Sequence, residues 1–161
     1  MRTFALIALL FSSQVFAGDF VGKYGVGVFV PDSASPVEVK LFSAGYQDTF
    51  LKDLLLYQVE AGVFADAHGD GRKSSGFVAS SAGLRVAPSV IYAEMLWGIA
   101  LISSPDSMLS TPYEFTNDTA IGIHDARGRA FGIGYKHFSN AGIQLPNKGR
   151  DFILIQFQIP L

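Results

Sequence analysis

The chain contains no cysteine, carries little charge and has no long apolar run beyond its first residues. Each absence removes a class of protein. Without cysteine there is no disulfide framework, no thiolate zinc site and no cysteine nucleophile. Charged residues make up 16% of the chain, below the roughly 25% usual for soluble domains. The formal net charge is −2, and loss of the leader described below removes one more base, Arg2. That is not the charge balance of a nucleic-acid-binding protein. No later segment holds about 20 consecutive apolar residues, so no spanning helix is expected.

What is present is apolar all the same. Hydrophobic residues reach 49%, with 17 glycines and 14 phenylalanines. A length of 161 residues allows one domain. Arg2, the apolar stretch Phe4 to Phe11 and the small-residue site Val15-Phe16-Ala17 read as a secretory signal, residues 1–17. The mature domain is then 18–161. An apolar secreted chain without spanning helices or disulfides leaves the closed β-barrel as the membrane class.

Eight alternating segments are legible, near 20–30, 37–47, 54–65, 75–87, 90–102, 114–125, 129–139 and 150–159. In the third, Leu55, Tyr57, Val59, Ala61 and Val63 oppose Gln58, Glu60 and Gly62. In the fifth, Ile91, Ala93, Met95, Trp97, Ile99 and Leu101 oppose Tyr92, Glu94 and Gly98. The first is weak. Connections after odd segments are generally the longer ones, with Asp48–Asp53 a mid-length exception among the short turns. The expected fold is all-β, an eight-stranded antiparallel transmembrane β-barrel, apolar outside and polar-filled inside. A soluble lipocalin-like barrel is the rival and would reverse that pattern. The terminal Leu161 departs mildly from the aromatic ending common in outer-membrane strands.

Segment seven holds the chemistry. Period two places Phe131, Ile133, Tyr135, His137 and Ser139 on the lipid-facing side. In segment eight, Asp151, Ile153, Ile155, Phe157 and Ile159 share that side. Polar groups at a lipid boundary are costly unless used or paired. His137 can act as base for Ser139, and Asp151 can orient the imidazole. The Asn140 side-chain amide, or backbone N–H groups around Ala141-Gly142, can hold an oxyanion. Gly142 and Pro146-Asn147 are turn residues that bend the loop back over the site. The plainer alternative is a strand end that has merely reached the headgroup zone, where such residues are ordinary.

The string His137-Phe138-Ser139-Asn140-Ala141-Gly142, followed by Pro146-Asn147, Gly149 and Asp151, resembles the PagL lipid A 3-O-deacylase family. The resemblance is strong in the C-terminal third. It implies an eight-stranded outer-membrane enzyme that hydrolyses the ester-linked hydroxyacyl chain at position 3 of lipid A. It also implies His137 and Ser139 as catalytic residues, Asn140 at the oxyanion and Asn147 supporting the loop. The third member of the family's triad is usually glutamate. Here Asp151 is one methylene shorter, and reaching the imidazole would call for a small backbone shift.

The expectation is thus a serine esterase acting on lipid A, with its site toward the outer leaflet. An acyl groove lined by Phe131, Ile133, Tyr135, Ile153 and Ile155 would hold the chain. The chemistry requires no metal or cofactor. Two alternatives remain open: a non-catalytic structural or adhesive barrel, and an esterase on another lipid acyl ester. Any strand's apolar face would also serve a homodimer. Lys148 and Arg150 are candidates for lipid phosphates or ordinary loop charge. Asp66-Ala67-His68-Gly69-Asp70-Gly71 reads as a polar loop, since Phe77 falls where a calcium loop needs its glutamate. His124 has inward parity and is expected in a lumen network with Glu60, Arg85 and Glu94. Trp97, Tyr92 and Tyr113 read as interfacial girdle residues.

Overall fold

Alternation of apolar and polar residues over ten to fourteen positions produces eight strands in the computed structural model, which describes residues 18–29, 37–51, 53–66, 74–105, 108–145 and 147–161. The strands are β1 (Asp19–Phe29), β2 (Val37–Phe50), β3 (Leu55–Asp66), β4 (Ser75–Val86), β5 (Ile91–Ile102), β6 (Tyr113–His124), β7 (Ala130–Ser139) and β8 (Arg150–Pro160). Each pairs antiparallel with the next, and β1 pairs with β8 to close the barrel. Closure leaves no edge strand, so every strand pairs its backbone N–H and C=O groups on both sides. Residues 1–17, expected to be a signal, Pro146 and the His68 region lie outside the described residues.

The strand limits match the sequence reading to within a few residues, with one informative difference. β2 runs on to Phe50, whose outward side chain is paired with Leu55. The apparent mid-length connection therefore shrinks to the turn 51–54. Short connections (51–54, 87–90 and 125–129) then all lie at one mouth, with both ends of the barrel wall, and the longer ones lie at the other. In the turn 125–129, Asp125 accepts hydrogen bonds from the backbone of Arg127 and Arg129 and from the Arg129 guanidinium. The guanidinium bond holds the exposed Asp125 carboxyl below the usual carboxylate range.

The outer wall is an apolar belt, with Val59, Trp97, Ile99, Ile121, Ile133 and Phe157 among its exposed side chains. The lipocalin-like reversal is thereby excluded. The interior departs from expectation. Its middle is polar: Lys23 and Lys136 are both buried against Glu60 and Asp118. Nearer the short-turn mouth, Glu94 accepts from Gln156 and Gln158. Nearer the long-loop mouth, however, the lumen is filled by Phe64, Phe77, Phe138 and Phe152, stacked or edge-on at 5.0–6.2 Å. These phenylalanines have inward parity, which the expected polar filling had overlooked. They make a hydrophobic plug directly beneath the end of β7.

Three smaller expectations are corrected. Tyr92 is no girdle residue, because it is fully buried and its hydroxyl accepts from Gln156 at 3.0 Å. His124 joins neither Glu60 nor Glu94, and instead lines a polar cavity at the short-turn mouth with Arg85 and Asp19. Arg150 is buried over the Phe64 ring at 5.1 Å, which removes it as a phosphate ligand, while Lys148 is exposed.

Candidate active site

The last turn of alternation in β7 puts His137 and Ser139 outward and Phe138 inward into the aromatic plug. Phe138 is fully buried, so the strand carrying the two polar residues cannot roll without pulling an aromatic ring out of the core. Across the β7–β8 ladder, His137 is the direct register partner of Asp151. Direct partners place their Cβ atoms about 4.5–5.5 Å apart. The short carboxylate therefore meets the imidazole without extra reach, at 2.7 Å from Nδ1 to Oδ1. The backbone shift expected for the missing methylene is not needed.

Asp151 has a second partner. The Tyr135 hydroxyl donates to the same carboxylate oxygen. Tyr135, expected only as groove lining, thus also contacts the acid. The signal was available, since Tyr135, His137 and Asp151 share one face. With Nδ1–H donated to Asp151, the imidazole's Nε2 is left to act as a base. Ser139 sits next along the same face, half-exposed and without a hydrogen-bond partner among the described residues.

The loop 140–149 joins this cluster to β8, and Gly149 at its end lies against His137. Asn140 is wholly buried. Its amide donates to Ser110 Oγ and to the Gln144 carbonyl, both at 3.0 Å, and its Oδ1 accepts from the Gly142 N–H at 3.0 Å. The Asn147 side chain accepts from the Asn140 N–H at 3.2 Å, and Asn147 forms a bridge with Leu109. The Asn140 amide, expected at the oxyanion, has both its N–H groups engaged by the loops here. It organises the loop, as Asn147 does. Ser110 and Leu109, on the neighbouring loop 103–112, were not legible from sequence. Of the loop N–H groups expected near the oxyanion, Gly142's is used, whereas Ala141's has no partner among the described residues. Ala141 has φ +53° and Gly142 φ +81°, a tight left-handed pair that exposes this N–H.

Gly149 ends the loop at φ +68° against the imidazole. A Cβ there would lie 2.8 Å from His137 Cε1 and 2.9 Å from the Phe138 carbonyl. Only glycine lets the chain pass this close.

Below the site, an open groove of about 590 Å³ runs down the outer wall. Ile133, Tyr135 and Ile153 line it, as do Leu84, Met95 and Ile121, so it lies toward β4–β6. Phe131 and Ile155, grouped with the groove by parity, fall outside its lining. Among the described residues no cluster of His, Asp and Glu is arranged to hold a metal ion.

No curated protein matches the chain. Among solved structures, the barrel is similar to one titled as the outer membrane enzyme PagL. The TM-score is 0.61 at 20% identity, covering 89% of this chain and 99% of that one. A family model described as lipid A 3-O-deacylase (PagL) matches residues 40–160, from β2 to the end of β8. The match spans three-quarters of the chain and includes the His137–Asp151 pair, Ser139 and the loop between them, and the chain belongs to the PagL lipid A 3-O-deacylase family.

Proposed function

We propose that this protein is a lipid A 3-O-deacylase of the outer membrane, with its long-loop mouth and active site at the outer leaflet. The observation that carries the reading is the His137–Asp151 contact at 2.7 Å, facing outward beside Ser139 on an apolar wall. Ionisable groups there are costly unless they are used, and a substrate reaching them would come from the lipid.

Ser139 Oγ attacks the ester carbonyl at position 3 and its proton passes to His137 Nε2. Asp151 stabilises the imidazolium through Nδ1–H, and Tyr135 holds the carboxylate in place. The free Ala141 N–H faces the developing oxyanion, an interaction that strengthens where water is excluded. Collapse expels the sugar oxygen, which takes the proton from His137. Water, activated by His137, then releases the hydroxyacyl chain from Ser139. The acyl tail occupies the outer groove along Ile133, Tyr135 and Ile153.

Mass spectrometry of lipid A from a Gram-negative host expressing the chain tests this directly. Loss of one hydroxyacyl group from position 3, abolished by Ser139→Ala, is expected. Unchanged lipid A in the presence of a folded, heat-modifiable barrel would reject the proposal.

A further inference from the structure

The strand registers place four outward residues in one row around the wall: Trp97 on β5, Asn117 on β6, His137 on β7 and Asp151 on β8. His137 and Asp151 belong to the reaction. Asn117 does not, and the apolar belt gives no reason for it. It is a half-exposed primary amide between an indole and the catalytic imidazole, with no hydrogen-bond partner among the described residues. An unpaired amide facing hydrocarbon is costly, and such residues in a membrane wall mark function by default.

Its position relative to the groove is specific. Ser139 is paired with Phe115, and Asn117 is paired with His137, so Asn117 and Ser139 are diagonal neighbours. Diagonal neighbours are about 7–8 Å apart, their Cβ atoms somewhat closer, and the two side chains do not bond each other. The gap suits a carbonyl carbon and the next one or two carbons of an acyl chain. Thr119, one outward step further along β6 and opposite Tyr135, already lines the groove. A chain esterified at Ser139 with its tail in the groove must pass Asn117 within its first carbons.

We propose that Asn117 is a specificity residue that recognises the hydroxyl on the third carbon of the acyl chain. This deepens the deacylase reading and rests on it. A primary amide offers a donor and an acceptor, and a hydroxyl offers the same, so each satisfies the other out of water. An unsubstituted acyl chain leaves the amide unpaired against hydrocarbon. Sites built to bond a hydroxyl reject analogues that lack it for this reason.

The test uses the full-length mature barrel in detergent micelles and two synthetic monosaccharide esters. One carries a 3-hydroxytetradecanoyl group on its 3-oxygen and the other a tetradecanoyl group. Wild type is expected to favour the hydroxylated ester by about 10–100-fold in kcat/KM, a modest share of the discrimination buried sites achieve. In Asn117→Leu that ratio should fall toward one, and Asn117→Gln should recover part of it. Asn117→Val serves if the leucine variant does not fold. An equal loss on both esters would overturn the proposal and make Asn117 a general aid to catalysis. An unchanged ratio would overturn it too. If folded wild type cleaves neither ester, the deacylase reading itself fails, and that outcome is distinct from a changed or unchanged preference.

Discussion

Asp151 stands directly opposite His137 across the β7–β8 ladder, and its Oδ1 lies 2.7 Å from Nδ1 of the imidazole. An acid in the directly opposite register needs only one methylene. The shorter residue is matched to this barrel rather than a defect in it.

Asp151→Asn should therefore keep the barrel folded and lower kcat by on the order of 10³–10⁴, as loss of the orienting acid does in other triads. Asp151→Glu, which adds length where none is needed, should retain more activity than the amide but less than wild type. Single-turnover release of hydroxyacid from detergent-solubilised lipid A would measure both. Equal rates for Asn and Asp would remove Asp151 from the mechanism.

Gly149→Ala should displace the imidazole. The new Cβ would sit 2.8 Å from Cε1, on a backbone with φ +68°. A misplacement of about 1 Å can cost on the order of 10² in rate, and the left-handed backbone adds about 1–2 kcal/mol of strain. We expect kcat to fall much more than KM changes, in a barrel that still shows heat-modifiable mobility. Wild-type turnover in this variant would mean the imidazole has room to move aside.

Asn140→Ala and Ser110→Ala should each slow the reaction by loosening the loop, because their side chains bond each other at 3.0 Å. Their effects should be strongly non-additive, as for any pair in direct contact. If Asn140 were instead an oxyanion donor, its loss would multiply with that of Ser110, so a double-mutant cycle on kcat separates the two roles.

Asp118→Ala should destabilise without touching the site. It leaves Lys23 and Lys136, both buried, sharing Glu60 alone. Breaking a buried ion network by removing one partner costs about 3–5 kcal/mol. The urea midpoint for unfolding from micelles should drop, while turnover per folded molecule stays near wild type. An unchanged midpoint would show that water already reaches the lumen.

Much of the architecture was open to reading because it depends on period-two alternation, a local property. Outward Leu55, Tyr57 and Val59 against inward Gln58 and Glu60 can be seen without knowing what β3 pairs with. The shared face of Tyr135, His137 and Ser139 follows in the same way. Parity also carries the aromatic plug, since Phe64, Phe77, Phe138 and Phe152 all fall on inward positions. Parity cannot show which inward group meets which, so it leaves open that His124 shares a cavity with Arg85 but not Glu60 or Glu94, and that Arg150 lies over Phe64.

The sequence by itself determined the number of strands, the apolar outside and the shared outward face of His137 and Ser139, since each follows from residue type and spacing along one strand. Only the tertiary structure decided that Asp151 is long enough, that the Asn140 amide bonds Ser110 and Gln144, that Gly149 presses on the imidazole and that Asn117 stands beside His137. Those facts depend on register between strands and on contacts between loops far apart in the chain. One residue of slip in β6 or β8 would turn Asn117 or Asp151 to the other side of the wall, and nothing within a single strand records that choice.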